Sequence, residues 1–148
     1  MSDKVQAAEE LFSKGYNCAQ AVIGTYASEC GLDVVTALKI AGGFGGGMRH
    51  GEVCGDVTGA LMVTGMNYGF YIEGDFAQKN ICNQKTIELI RAFKEEHGSI
   101  LCRDLLKTDI REPEDHTNPV VQQLHKKICP VLIATAVRIL EEERRSEK

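Results

Sequence analysis

Apolar residues along the chain recur three and four positions apart, and no segment sustains the alternation of a strand. Val5, Ala8, Leu11 and Phe12 predict a first helix over Asp3 to Ser13, with Asp3 as its cap and Gly15 as its stop. Asn17 suits the cap of a second helix running to about Cys30, with Ala19, Val22, Ile23 and Tyr26 on its apolar side. Asp33 caps a short third helix to about Ala41. A fourth is expected from about Glu52 to Asn67, and Gly69 and Gly74 bound a turn around Phe70, Tyr71 and Ile72. Asp75 then caps a long helix to about His97, where Ile87, Ile90 and Phe93 hold helical spacing and Gly98 follows. Ser99 caps a short helix carrying Cys102, Leu105 and Leu106. Lys107 to Asn118 reads as a polar loop, the least ordered internal part. A last helical region begins near Pro119 and is expected to kink or restart at Pro130. Val131 to Leu140 is almost wholly apolar, and from about Glu141 the tail is charged and solvated. The pattern predicts an all-α, single-domain bundle of about six or seven helices spanning residues 1–148.

One stretch departs from ordinary helical composition. Gly42 to Gly69 opens with a glycine-rich loop, reaches Cys54 and continues as an apolar segment in which Gly51, Gly55 and Gly59 recur every fourth residue. On a helix that spacing bares one side, so a neighbouring backbone can approach closely. Helix-interior glycine costs about 1 kcal/mol relative to alanine. A segment that accepts this repeatedly is expected to pack tightly around Cys54.

Composition narrows the class. With 43% hydrophobic and 26% charged residues, the chain suits a globular protein with a sizeable core. Its formal net charge of −4 gives no nucleic-acid footprint. The charged start MSDKVQAAEE is not a signal peptide, and no apolar run reaches the length of a membrane span. The expectation is a cytoplasmic protein, in a compartment where structural disulfides are uncommon.

Six cysteines are scattered along the chain, with no C-x-x-C pair, which removes zinc-ribbon and thioredoxin-type motifs. Scattered cysteines in a reducing compartment are buried packing residues, metal ligands or redox thiols. Cys18, Cys54, Cys102 and Cys129 all fall at or near predicted helix starts, where the dipole and unpaired N–H groups favour a thiolate. Being far apart in sequence, they can meet only as donors from separate helices. Cys30, at a helix end, and Cys82, on an apolar mid-helix side, are assigned to packing.

The segments GYNCAQAV (Gly15 to Val22), GEVCGDVTGALMVTG (Gly51 to Gly65), CRDLL (Cys102 to Leu106) and HKKIC (His125 to Cys129) resemble, in order, the four blocks of the C-GCAxxG-C-C family, described as redox-active. Asp56 departs from that pattern, standing where a small residue such as alanine is expected after Cys-Gly. The chain is also similar to the non-haem part of split-Soret cytochrome c, which is all-helical. The resemblance implies an iron–sulfur centre on cysteines of these blocks. Covalent c-type haem is not expected, because C-x-x-C-H is missing. Thiolates are the usual ligands of such clusters, and hydrogen bonds onto sulfur tune them. Gly45, Gly46 and Gly47 would offer backbone N–H groups for that purpose, or merely form a flexible connection. A phosphate cradle is disfavoured, since neither a preceding strand nor a Gly-Lys-Ser/Thr ending is present.

His125 lies four residues before Cys129 and shares its face, either as a ligand, a proton donor or an ordinary half-buried histidine. His50 either lines an entrance or belongs to a solvated loop; His97 and His116 receive no role. Glu52 and Asp56 flank Cys54 and form a candidate acid–base pair, with Asp56 the one whose pKa rises if buried. Glu141 and Arg145 are spaced for a surface ion pair. Three functions compete. The first is electron transfer through an iron–sulfur cluster on Cys18, Cys54, Cys102 and Cys129, or on three of them. The second is a metal-free thiol–disulfide enzyme or sensor using the same cysteines. The third is a zinc-stabilised or plainly cysteine-rich interaction module. An electron carrier implies a redox partner protein, and small apolar faces together with the cytochrome resemblance point to a homodimer.

Overall fold

The computed structural model describes residues 3–146. Seven α-helices lie in this span: α1 Asp3–Ser13, α2 Cys18–Tyr26, α3 Val34–Ile40, α4 Gly55–Tyr68, α5 Phe76–His97, α6 Cys102–Leu106 and α7 Pro119–Ser146. The all-α expectation holds, and none of these helices is long and apolar enough to cross a membrane.

Local chemistry sets most boundaries. Asn17 caps α2 through a reciprocal pair of bonds with Gln20, and Asp33 and Asp75 cap α3 and α5 by accepting from the N–H of Thr36 and Gln78. Gly15, Gly31 and Gly98 take left-handed conformations after helices, as stop signals do. Asp3 is a first-turn acid of α1 rather than its cap. α2 ends at Tyr26 and the chain turns through Cys30, so the expected extension to Cys30 is absent.

α2 lies at the centre, against α1, α3, α4 and α7. A Cβ on Gly59 would stand 2.8 Å from the Ala19 carbonyl oxygen, and one on Gly55 would stand 3.0 Å from the Ala19 nitrogen. The close approach expected of the glycine stripe is therefore real, but only Gly55 and Gly59 make it. α4 begins three residues later than expected, leaving Gly51 outside it with φ 66°. Tyr26, Val57, Phe93, Ile133, Val137 and Leu140 are the heart of the main core, which α1, α2, α4, α5 and α7 share. On α5 the buried positions are Leu89 and Phe93; Ile87 faces outward.

α7 runs through Pro130 without a restart. Proline cannot bond the carbonyl four residues back. The next turns are nevertheless held by Leu132, Ile133, Ala136 and Val137 in the core. The helix also absorbs much of the charged tail. Tyr26 donates to the Glu141 carboxylate at 2.7 Å, and Arg144, not Arg145, pairs with Glu29 at 2.8 Å and Glu141 at 3.6 Å. The polar loop before α7 is likewise tied down, with Ile110 and His116 buried.

Candidate functional site

The glycine loop ends in a left-handed turn. Gly46, Gly47, Met48 and Arg49 have φ of 62°, 64°, 60° and 59° in succession. For Met48 and Arg49 this conformation costs about 1–2 kcal/mol each. Gly47 has no alternative, since a Cβ there would lie 2.5 Å from the Glu52 nitrogen and 3.0 Å from the Cys102 Cβ. The turn delivers the chain into a short antiparallel bridge between Val53 and Leu101, closed by Cys54 N–H to Ile100 O and Cys102 N–H to Glu52 O, both 2.7 Å. Side chains alternate across extended backbone. Cys54 and Cys102 therefore project from the same face of the bridge, opposite to Val53 and Leu101. This pairing was not foreseen, because two residues of strand leave no periodicity to read.

Cys54 caps α4 and Cys102 opens α6, with Leu101 rather than Ser99 as cap; Ser99 instead bonds Leu101 N–H and Asp104. Cys18 opens α2, and a Cβ on Gly55 would stand 3.1 Å from the Cys18 Cβ, which sets Cys18 beside the start of α4. Cys129 lies in the middle of α7, so only three of the four expected helix starts are found. It still lies near the group, since Cys18, Asp56, Cys54 and Cys102 all act on its pKa. All four are buried, while Cys30 and Cys82 are half-exposed and apart from them. Cys30 bonds Asn67 at 3.5 Å.

The electrostatics reverse the expected cationic pocket. Asp56 is fully buried, accepts a hydrogen bond from Cys54 at 3.2 Å through Oδ2, and leaves Oδ1 without a partner. Burial raises its pKa to about 7, against the lowering effect of the Cys54 bond. Cys54 is raised well above a normal thiol by burial and then by the Asp56 charge. Cys18 is raised by the neighbouring Cys129, by burial and by Asp56. Burial takes Cys102 to about 12, helped by Cys18 and Asp56. For Cys129 the neighbouring Cys18 pulls downward, but burial and the neighbouring acids leave it raised. Low dielectric and a buried carboxyl outweigh the helix dipoles, so the four are neutral thiols at pH 7.

Glu52 is no partner to Asp56, since it pairs with Arg103 at 2.8 Å near the surface. His125 Nδ1 stands 3.2 Å from the Cys129 sulfur. Its pKa is lowered by burial and by the charges of His116 and Arg49. His50 bonds the Arg111 carbonyl in an exposed loop, and His97 bonds Thr135. Gly45 packs on Asn17, Gly46 on the His116 ring, and Gly47 on Cys102. His116 was missed by sequence reasoning: it is 4% exposed, with Nε2 2.7 Å from the Ile110 carbonyl and Nδ1 unpartnered. The one signal available was Ile110, an isolated aliphatic residue in a polar loop.

Over residues 16–143 the sequence matches the family described as "Putative redox-active protein (C_GCAxxG_C_C)". The chain belongs to this family. The segment Cys54-Gly55-Asp56-Val57-Thr58-Gly59, which resembles the second block of that family, now has a physical reading. Its cysteine enters the sulfur group and its two glycines seat α4 on the backbone of α2. No curated protein and no solved structure matches the chain.

A cysteine-held cluster requires several soft donors in one protected place, and four thiols from α2, α4, α6 and α7 meet that requirement in kind. Among the described residues, no three or more His, Cys, Asp or Glu side chains stand closely enough to hold a single metal ion as they are. Beside the sulfurs lies a cavity of about 1100 Å³, bounded by the glycine loop, α1, α2, the His116 loop and α7. Cys18 lines it, as do Gly45 and Gly46, whereas Gly47 does not.

Proposed function

We propose that this redox-family protein is an electron carrier whose centre is an iron–sulfur cluster held by Cys18, Cys54, Cys102 and Cys129. What supports the reading is the burial of these four cysteines on four separate helices, with Cys54 and Cys102 brought together by the Val53–Leu101 bridge and Cys18 beside the start of α4, while the other two cysteines stay half-exposed. When bound, such a cluster supplies reversible one-electron chemistry at a potential set by its surroundings.

The chain's own residues define those surroundings. Four neutral thiols beside a buried carboxyl need a cationic group before they ionise, and a metal centre deprotonates coordinating thiols. The same raised pKa values make the cysteines poor nucleophiles without metal, which weighs against rapid thiol–disulfide exchange. The left-handed turn and the Val53–Leu101 bridge close water off from Cys54 and Cys102. His125 is placed to hold or release a proton at Cys129. A single tetrahedral zinc, with Zn–S near about 2.3 Å, draws its ligands to within roughly 4 Å of one another. Among the described residues no three such side chains stand that close together.

A second reading has its own support: Cys18 and Cys129 each act on the other's pKa as close neighbours, as a metal-free dithiol would require. Anaerobic purification followed by iron and acid-labile sulfide analysis separates the two. The cluster reading expects both elements in near-stoichiometric amount, lost in each serine variant of Cys18, Cys54, Cys102 or Cys129 and retained in Cys30→Ser and Cys82→Ser. Iron-free folded protein that forms a Cys18–Cys129 disulfide on mild oxidation would establish the second reading instead.

A further inference from the structure

α5 is 22 residues long, but the core holds only its second half. Its buried positions are Leu89 and Phe93, and no residue of it before Leu89 is buried. On the side that faces away from the core, the two halves differ in chemistry. Every exposed residue from Glu88 to Glu96 is charged. From Phe76 to Ile87, Lys79 is the one charge among eight exposed residues, and its ammonium lies over the Phe70 ring at 5.9 Å. A solvated helix face carries polar and charged residues along its length. Charge is depleted where a surface forms the centre of an interface.

The turn that leads into α5 adds to this neutral surface. Phe70, Tyr71, Ile72 and Phe76 are 45%, 91%, 58% and 70% exposed. The three aromatics among them come from a chain with five phenylalanines and four tyrosines. The turn holds them on a fixed backbone. Gly74 takes φ 80°, Asp75 accepts from the Gln78 N–H at 3.0 Å, and the Gln78 side chain donates to the Tyr68 carbonyl at 2.7 Å. At about 200 Å² per aromatic side chain, the three rings leave about 400 Å² in water. Ile72, Ile81 and Ile87, each about half exposed, extend the surface to roughly 600 Å². That is the upper end for a patch on a monomer, and most of the about 800 Å² per partner that a stable complex buries.

We propose that the outward side of α5 from Phe76 to Ile87, together with the turn at Phe70 to Ile72, docks against the same surface of a second copy of this chain. Small apolar faces were the sequence-based expectation for pairing, but Gly55 and Gly59 use theirs against α2. The large side chains at the turn between α4 and α5 take that role instead. A two-fold contact suits this face, because it has no run of charge for its copy to repel. Its rim carries both Glu73 and Lys79, which an isologous contact can set against each other. An anionic lipid surface is the poorer occupant, since Glu73 and Asp75 flank the apolar tip and the net charge is −4. The face lies at the end of α4 remote from Cys54, and the 14 residues of that helix set the two about 20 Å apart. Pairing therefore leaves the cavity beside Cys18 uncovered and does not depend on what the sulfurs hold.

Sedimentation of the anaerobically purified full chain, from micromolar to millimolar concentration, tests the surface. A species of twice the 16.3 kDa chain mass is expected. The double variant Tyr71→Glu with Phe76→Glu sets like charges across the contact and should weaken pairing by about a hundred-fold or more, with helicity unchanged. Ile87→Glu, about three turns along the same side, should weaken it by about ten-fold. Val35→Glu alters a similarly exposed position on α3 and should leave pairing intact. A monomer at every concentration, pairing that survives both the double variant and Ile87→Glu, or pairing that Val35→Glu disrupts equally would overturn the proposal. So would a monomer that floats with phosphatidylserine vesicles through Tyr71 and Phe76, since the face would then be a lipid contact. A dimer with these sensitivities in protein that never holds iron would sustain the pairing while removing the cluster.

Discussion

At the residue scale, Tyr26 shows how a buried polar atom is made safe. The side chain is 1% exposed, and its hydroxyl gives its hydrogen to Glu141 on the last turns of α7. Burial, followed by that carboxylate, raises its pKa above the usual value for tyrosine. The folded chain therefore keeps the phenolic proton to higher pH than the unfolded chain does, so stability falls as pH rises beyond about 10. Tyr26→Phe should lower unfolding free energy at neutral pH by about 1.5–3 kcal/mol, because the bond is to a charged group. The variant should also lose stability less steeply above pH 10 than the wild type. Denaturant titrations at several pH values measure both effects.

Asp56 obeys the same accounting with a different outcome. Its neighbour Cys54 satisfies one oxygen and nothing satisfies the other. The resemblance to the family blocks implies a small residue at this position, and the chain carries an acid there. When ionised, this carboxyl opposes thiolate formation at all four cysteines, and here the structure differs most from the helix-start reading, which favours thiolates.

At the element scale, α4 separates two uses of glycine. Gly59 meets the Ala19 backbone, while a Cβ on Gly65 would meet nothing within 4 Å. Gly59→Ala should destabilise by about 1–3 kcal/mol through overpacking, despite a better helix propensity. Gly65→Ala should stabilise by up to about 1 kcal/mol. Equal effects of the two would show that contact with α2 is not what constrains the helix. The left-handed turn offers a companion test. Met48 is partly exposed with φ 60°, so Met48→Gly should relieve about 1 kcal/mol of backbone strain. Thermal melts of the three variants suffice.

At the scale of the whole molecule, the sulfur group joins α2, α4, α6 and α7, elements whose cysteines are up to 111 residues apart. On the cluster proposed above, a group bound there would cross-link the fold, and stripping its iron should lower the melting temperature by several degrees or more. Far-ultraviolet circular dichroism should keep its helical signal, because the main core reaches well beyond Cys54, through Tyr26, Phe93, Ile133 and Leu140.

Much of this architecture was legible in the chain. The caps Asn17, Asp33 and Asp75, the stops Gly15 and Gly98, and the helical spacing of apolar residues are local signals, and they placed α1, α3 and α5 almost to the residue. Where a boundary depended on distant packing, local signals failed. The chain has nothing near Pro130 to show that core contacts carry α7 through it, and nothing near Lys107 to Asn118 to show that His116 is buried.

The sequence by itself determined the helical class and the family, because cap chemistry, apolar period and the order of the family blocks are all written within short windows. Only the tertiary structure decided that the thiols are neutral, that Cys129 joins from mid-helix, and that a cavity with an unpaired His116 nitrogen opens beside Cys18. Burial, dielectric and cavity shape are properties of residues brought together from far along the chain, and no window of neighbours contains them.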